Sequence, residues 1–299
     1  MDQPAIAVQG LSKRFGRRMA VDGLTFQVPA GAVCGFLGRN GAGKSTAIRM
    51  MMNLIAPSSG SATLLGLDSR RGHDALMRRV GYVAEAPVLY EWMKVKEVVW
   101  FTARFYKAWN RDRVDSLLRR FGIDEEQKVG RLSRGTYAQL ALLLALGGDP
   151  ELLILDEPAT GLDVLVRRDF LESIIQLIQQ DGRTVLFSSH LVHEVERVAD
   201  HVVIVDSGRL VLSMRLDDLK AGVRRMIVRQ QDPGRIPHVP GFLRSCRDGK
   251  DLVMTVQDSD AMAQTAIECG GGEVLEVTGL SLEDIFVDVV AGTREEERQ

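Results

Sequence analysis

The chain has 299 residues, 45% of them hydrophobic and 26% charged, with a formal net charge of -2. That length holds one large domain plus a small one, and the composition is that of an ordinary soluble globular protein. The near-neutral balance gives no electrostatic case for nucleic acid, whose binders carry a basic patch or excess.

In chain order, the opening MDQPAIAVQG has no basic region followed by an apolar core, so no secretory signal is expected. Ile6 to Leu11, Val21 to Val28 and Ala32 to Leu37 read as short strands punctuated by Gly and Pro. A glycine-rich loop follows, then a helix from about Lys44 to Leu54, and strands at Ala62 to Leu65 and Val80 to Val83. From Pro87 to Gly147 the pattern turns helical. Val95, Val98, Val99, Thr102 and Phe105–Tyr106 fit a 3.6-residue period, as do Val114, Leu117, Leu118 and Phe121. Strand and helix then alternate: Leu152–Leu155, a helix with Phe170, Ile174, Leu177 and Ile178 on one face, Val185–Ser188, a helix over Val192–Val198, and a hairpin through Asp206-Ser207-Gly208.

This alternation implies an α/β sheet with residues 87–147 as an inserted helical lobe. After about Met214 the character shifts. Strand-like Met226–Gln230, a hairpin across Arg247-Asp248-Gly249-Lys250, a helix near Ala261–Cys269, a strand at Glu273–Val277 and a final helix from Leu282 suggest a small α+β appendage. The expected division is 1–213 and 214–299. Cys34, Cys246 and Cys269 form no Cys-X-X-Cys pattern, so free thiols in a reducing compartment are expected. The longest aliphatic run, Leu140 to Leu146, falls far short of the roughly 20 residues that span a bilayer.

Two stretches carry chemistry. GRNGAGKST, Gly38 to Thr46, fits the phosphate-loop pattern between a strand and a helix. Gly38, Gly41 and Gly43 let successive N–H groups face a phosphate, and the helix adds its positive end. Asn40, Ala42 and Thr46 complete the expected contacts, with Lys44 on the β/γ-phosphates and Ser45 on Mg²⁺. Next, the strand Leu152–Leu155 delivers Asp156 and Glu157 to the sheet's carboxyl edge. Adjacent carboxylates repel unless a cation or a reaction uses them. Asp156 is thus the expected Mg²⁺ ligand, direct or through water, and Glu157 the candidate base for water attacking the γ-phosphate.

In combination these residues resemble the ATP-binding cassette (ABC) ATPases. Leu132-Ser133-Arg134-Gly135-Thr136 looks like their signature motif, Thr160-Gly161-Leu162-Asp163 like the D-loop, and His190 like the switch histidine. The resemblance covers about residues 4–213 and implies the ABC-type phosphate-loop fold: a mixed sheet core, an antiparallel β lobe and the inserted helical lobe. It implies two cassettes sandwiching two ATP molecules, each phosphate loop facing the other's Ser133 and Gly135, with Asp163 among the contacts. Ser133 is a natural N-cap for the helix through Leu146. Phe15 stands where the family stacks an aromatic on adenine, although a core phenylalanine at a strand end fits the same spot. Glu85 occupies a position where many relatives carry glutamine touching Mg²⁺ and the attacking water. Arg134 and Thr136 replace the usual glycine and glutamine; Arg134 either adds charge near the opposite phosphate or points to solvent.

All three tryptophans, Trp92, Trp100 and Trp109, lie with Tyr90, Phe101, Phe105 and Tyr106 in or beside the helical lobe. Most are expected in the core. The resemblance nevertheless implies a groove there for a transmembrane permease subunit, with one or two of Tyr90, Trp92 and Met93 exposed. The expected function is therefore the ATP-hydrolysing subunit of an ABC transporter, a homodimer or paired with a similar cassette. It would sit on the cytoplasmic face of the membrane, and the appendage resembles exporter-type members. A soluble cassette acting on ribosomes or nucleic acid is the alternative.

Overall fold

The aliphatic runs that follow glycine or proline punctuation become the central strands of a sheet, and the polar residues ending them gather at one edge. The computed structural model describes residues 3–163, 167–168, 170–171, 182–230, 239, 241–257, 265, 267 and 272–296. The chain divides into two compact units, Met1–Ser213 and Met214–Gln299.

The first unit opens with β1 (Ile6–Phe15) and β2 (Arg18–Val28), paired antiparallel. Then come β3 (Val33–Leu37), α1 (Lys44–Met51), β4 (Ser59–Leu64), β5 (Leu67–Asp68), α2 (His73–Leu76) and β6 (Val80–Val83). The helical segment carries α3 (Val95–Ala103), α4 (Arg111–Phe121) and α5 (Arg134–Gly147). The chain returns to the sheet with β7 (Leu152–Leu155), β8 (Thr184–Ser189), α6 (Val192–Val198), β9 (His201–Asp206) and β10 (Arg209–Arg215). A six-stranded sheet has the order β10-β9-β3-β8-β7-β6, and a four-stranded one has β2-β1-β4-β5. In the larger sheet β3 pairs parallel with β8 and β9, and β7 parallel with β6 and β8. Every residue of β3, β7 and β8 is buried, as expected of parallel strands covered on both faces. The two sheets share one core, in which Phe26 of β2 stacks on Phe36 of β3.

Two helices stop earlier than their periodicity suggests. α1 ends at Met51 rather than Leu54, because the chain leaves it through left-handed Asn53. α3 ends at Ala103, leaving Phe105 and Tyr106 beyond it in a run of i→i+3 backbone bonds. The cause is non-local: the rings of Tyr106 and Trp109 lie against Gly148 and Gly147, where an added Cβ would come within 2.4 and 2.3 Å of them. The lobe's aromatics are also less buried than expected. Trp92, Trp100 and Phe105 are 69%, 58% and 71% exposed, Tyr90 is exposed, and Phe101, Tyr106 and Trp109 are half-buried. Ile174, Leu177 and Ile178 lie outside the described residues, as do Cys269 and most of the 261–269 segment.

The second unit contains α7 (Leu216–Gly222), β11 (Val223–Gln230), β12 (Phe242–Asp248), β13 (Asp251–Gln257), β14 (Gly272–Gly279) and α8 (Leu282–Glu296). Its antiparallel sheet has the order β12-β13-β11-β14 around Met226, Val228, Leu252, Met254 and Val256. On α8 the buried Asp288 accepts hydrogen bonds from Thr255 Oγ1 (2.6 Å), Arg244 (3.0 Å) and Arg225 (3.2 Å), which fastens that helix to the sheet.

Packing is close where α6 crosses β3. A Cβ built on Gly35 would lie 2.1 Å from Val195 Cγ1. Gly35→Ala should therefore destabilise the first unit by about 1–3 kcal/mol, the usual cost of overpacking a core. Chemical denaturation monitored in that unit checks this, and an unchanged midpoint would contradict the packing described.

Candidate functional site

The turn between β3 and α1 is shaped by what lies behind it. Gly43 has φ +101°, and a Cβ there would meet the Ala20 carbonyl oxygen at 2.5 Å. Only glycine fits. Gly41, at φ +82°, faces open space. The loop therefore bares its backbone toward a cavity of about 560 Å³ that runs from Phe15 and Arg18 across residues 39–46 to Glu85, Glu157, Thr160 and His190.

Lys44, the first residue of α1, is buried. Its ammonium donates to the Gly38 carbonyl oxygen (2.7 Å) and lies 3.0 Å from Glu157 Oε1. Glu157 Oε2 lies 2.8 Å from His190 Nδ1 and accepts from Thr160 Oγ1 at 3.3 Å. Glu157 is itself buried and adopts φ +48°, a strained conformation for a non-glycine residue. Its amide donates to Ser188 Oγ at 2.8 Å, which anchors the strained turn. The carboxylate thus sits between a cation and an imidazole, at the wall of the cavity.

Asp156 directly follows β7 and is fully buried. Its Oδ1 accepts hydrogen bonds from Ser45 Oγ (3.0 Å) and Ser188 Oγ (2.9 Å), whereas Oδ2 is buried without a partner. Burial pushes its carboxyl above the ordinary aspartate range; the two serine donors oppose this and the Glu85 charge adds to it. A buried orphan oxygen beside a serine hydroxyl is a donor set suited to a hard divalent cation that keeps waters and phosphate oxygens as its other ligands. Among the described residues no group of three or more His, Cys, Asp or Glu forms a self-sufficient metal site.

Phe15 is 52% exposed, with the Lys13 ammonium 5.1 Å from its ring centroid. It lies at the cavity mouth and is not a core residue. Gly38 is buried at the base of the loop. Ser133, Gly135 and Asp163 do not line the cavity. Ser133 caps α5, accepting from the Thr136 amide at 3.1 Å, and its hydroxyl meets Thr136 Oγ1 at 2.8 Å. Arg134 is exposed, and a Cβ built on Gly161 would lie 4.0 Å from its guanidinium. Ser188 and Tyr137 were given no role from the sequence, and Thr160 was read only as part of the D-loop match. Ser188 carried a legible signal, a hydroxyl directly following the apolar run Val185 to Phe187 of its strand.

The ABC transporter family profile matches residues 21–160. Over 224 residues the chain is 35% identical to the bacitracin transport ATP-binding protein BcrA of Bacillus licheniformis, covering 74% of this chain and 73% of that protein. The chain belongs to the ABC transporter family. The cassette is likewise 35% identical over 226 residues to the daunorubicin resistance ATP-binding protein DrrA3 of Streptomyces coeruleorubidus, covering 74% of this chain and 71% of that one. A solved ATP-binding subunit of an ABC transporter matches it with TM-score 0.66 and 30% identity, over 73% of this chain and 92% of that one. As a member of this family the cassette binds and hydrolyses ATP. Of its described residues, no helix is long and apolar enough to cross a membrane. Its described cysteines, buried Cys34 and exposed Cys246, are free thiols.

Because its pKa is raised, ionised Asp156 weakens the fold once the pH exceeds its unfolded-state value, and the loss grows until the pH passes the folded value. In metal-free neutral buffer, Asp156→Asn should therefore raise the unfolding midpoint while losing the further rise that a divalent cation and nucleotide confer on the unsubstituted chain. Thermal scans with and without both ligands test this. A lower midpoint in metal-free buffer would contradict it.

Proposed function

We propose that this cassette drives an exporter from the cytoplasmic face of the membrane, hydrolysing ATP at sites that two cassettes complete together. The observation that carries the reading is the position of Glu157. It is buried on the cavity wall between Lys44 and His190, while Ser133, Gly135 and Asp163 stand off that cavity. ATP in the cavity would place its adenine against Phe15 and its phosphates along Asn40 to Thr46. Lys44 would exchange the Gly38 carbonyl and Glu157 for β/γ-phosphate oxygens. That exchange frees Glu157 Oε1 to accept a proton from water attacking the γ-phosphorus, with the β–γ bridging oxygen leaving on ADP. His190, on the other side of Glu157, would donate to the γ-phosphate.

Ser45 and Asp156 would hold Mg²⁺, with Glu85 reaching it through water. When bound, the ion would supply positive charge that offsets the negative charge of the phosphates during transfer. Ser133 and Gly135 open a helix whose N-terminal amides suit a phosphate brought by a second cassette, in the simplest form a second copy. A hollow of about 540 Å³ lined by Trp92, Met93, Lys96, Glu97, Trp100 and Arg111 supports a docking place for a transmembrane subunit. The resistance function in the name of DrrA3 supports the outward direction.

Glu157→Gln retains size and most hydrogen bonding but cannot take the proton. Hydrolysis should slow by roughly 10²–10⁴, the usual contribution of a general base, with ATP affinity retained. Single-turnover hydrolysis measured beside nucleotide binding distinguishes the two effects, and undiminished turnover would exclude the role.

A further inference from the structure

A second cavity of the first unit, of about 460 Å³, is lined by Glu85, Pro87, Arg134, Tyr137, Thr160 and Gly161 among others. One hydroxyl closes its edge. Tyr137 Oη donates to the Pro87 carbonyl oxygen at 3.0 Å and accepts from the Leu89 amide at 2.7 Å, both normal hydrogen-bond lengths. Pro87 and Leu89 lie in the irregular connection between β6 and α3, where no strand or helix pairs their backbone groups. Tyr137 is in the first turn of α5, and its own amide donates to the Ser133 carbonyl oxygen at 2.8 Å. A single residue is thus bonded through its main chain to Ser133 and through its side chain to the segment two residues beyond Glu85.

We infer that Tyr137 is a positioning residue: its hydroxyl clamps the Glu85 segment to the start of α5, so that Glu85 on one ATP and Ser133 on the other move together. The inference rests on the roles proposed above for Glu85 and Ser133. It adds a physical link between them that local sequence does not show, because the partners are 48 and 50 residues apart. A two-point bond from one phenol also fixes direction: the ring cannot swing without breaking both contacts. Losing them would leave the phosphate loop and Phe15 untouched, so ATP binding should survive while the assembled site misaligns.

Tyr137→Phe in the full chain removes only the hydroxyl. Turnover should fall about fivefold to twentyfold, the range for residues that couple sites through one or two hydrogen bonds, with KM for ATP within about twofold. In a Glu85→Ala background the same substitution should cost nothing further, because the group being positioned is gone. Undiminished turnover in Tyr137→Phe, or a full additional loss in the double variant, overturns the inference. If Glu85→Ala alone leaves turnover intact, the role proposed for Glu85 fails, and hydrogen exchange then decides the clamp. Faster exchange of the Leu89 amide in Tyr137→Phe supports it, and an unchanged rate overturns it.

Discussion

The function proposed for this cassette depends on one buried carboxylate held between two positive or proton-bearing groups. Glu157 is taken out of water at the end of β7, in a backbone conformation that costs energy, and is kept there by Ser188, Lys44, Thr160 and His190. An ionised acid in that position is tolerable only because Lys44 faces it. The same ammonium is the group on which phosphate oxygens have the strongest claim. In the proposed function, phosphate binding and release of the carboxylate would be two sides of one exchange, coupling the arrival of ATP to the appearance of a base.

Asp156, one residue earlier, is built on the opposite principle. Its partners are hydroxyls rather than a cation, and one oxygen is left unsatisfied, so its charge is destabilising until something positive arrives. In the proposed site the two adjacent acids would divide the work by environment: Glu157 is paired within the protein, and Asp156 would be left for a metal. Ser188 serves both, accepting from the Glu157 amide and donating to Asp156.

Much of this was legible in the sequence because the signals are contiguous. The strands Val80–Val83 and Leu152–Leu155 have the bounds their apolar runs suggest, and the glycine-rich loop lies between strand and helix. What escaped depends on residues distant in the chain. α3 ends early because aromatics seat on Gly147 and Gly148, more than forty residues beyond its last turn. The exposure of Trp92 and Trp100 follows from where the lobe finds packing partners, which helical spacing cannot reveal. Tyr137 looked like any residue following a Ser-Arg-Gly-Thr helix start, and its meaning lies in Pro87 and Leu89. Within the chain, Thr136 engages the Ser133 hydroxyl, and Arg134 is exposed.

The central claim is that each chain supplies parts of two different ATP sites. Mixing two inactive variants tests it most directly: Lys44→Ala, which spoils a chain's own phosphate loop, and Ser133→Glu, which sets a carboxylate against the partner's phosphate. If the sites are shared, every site in either pure variant is defective, whereas a mixed dimer contains one intact site. ATPase activity should then return on mixing to about a quarter of the unsubstituted level, from random pairing of two-fold dimers. A mixture as inactive as its components would show that Lys44 and Ser133 do not meet across two chains.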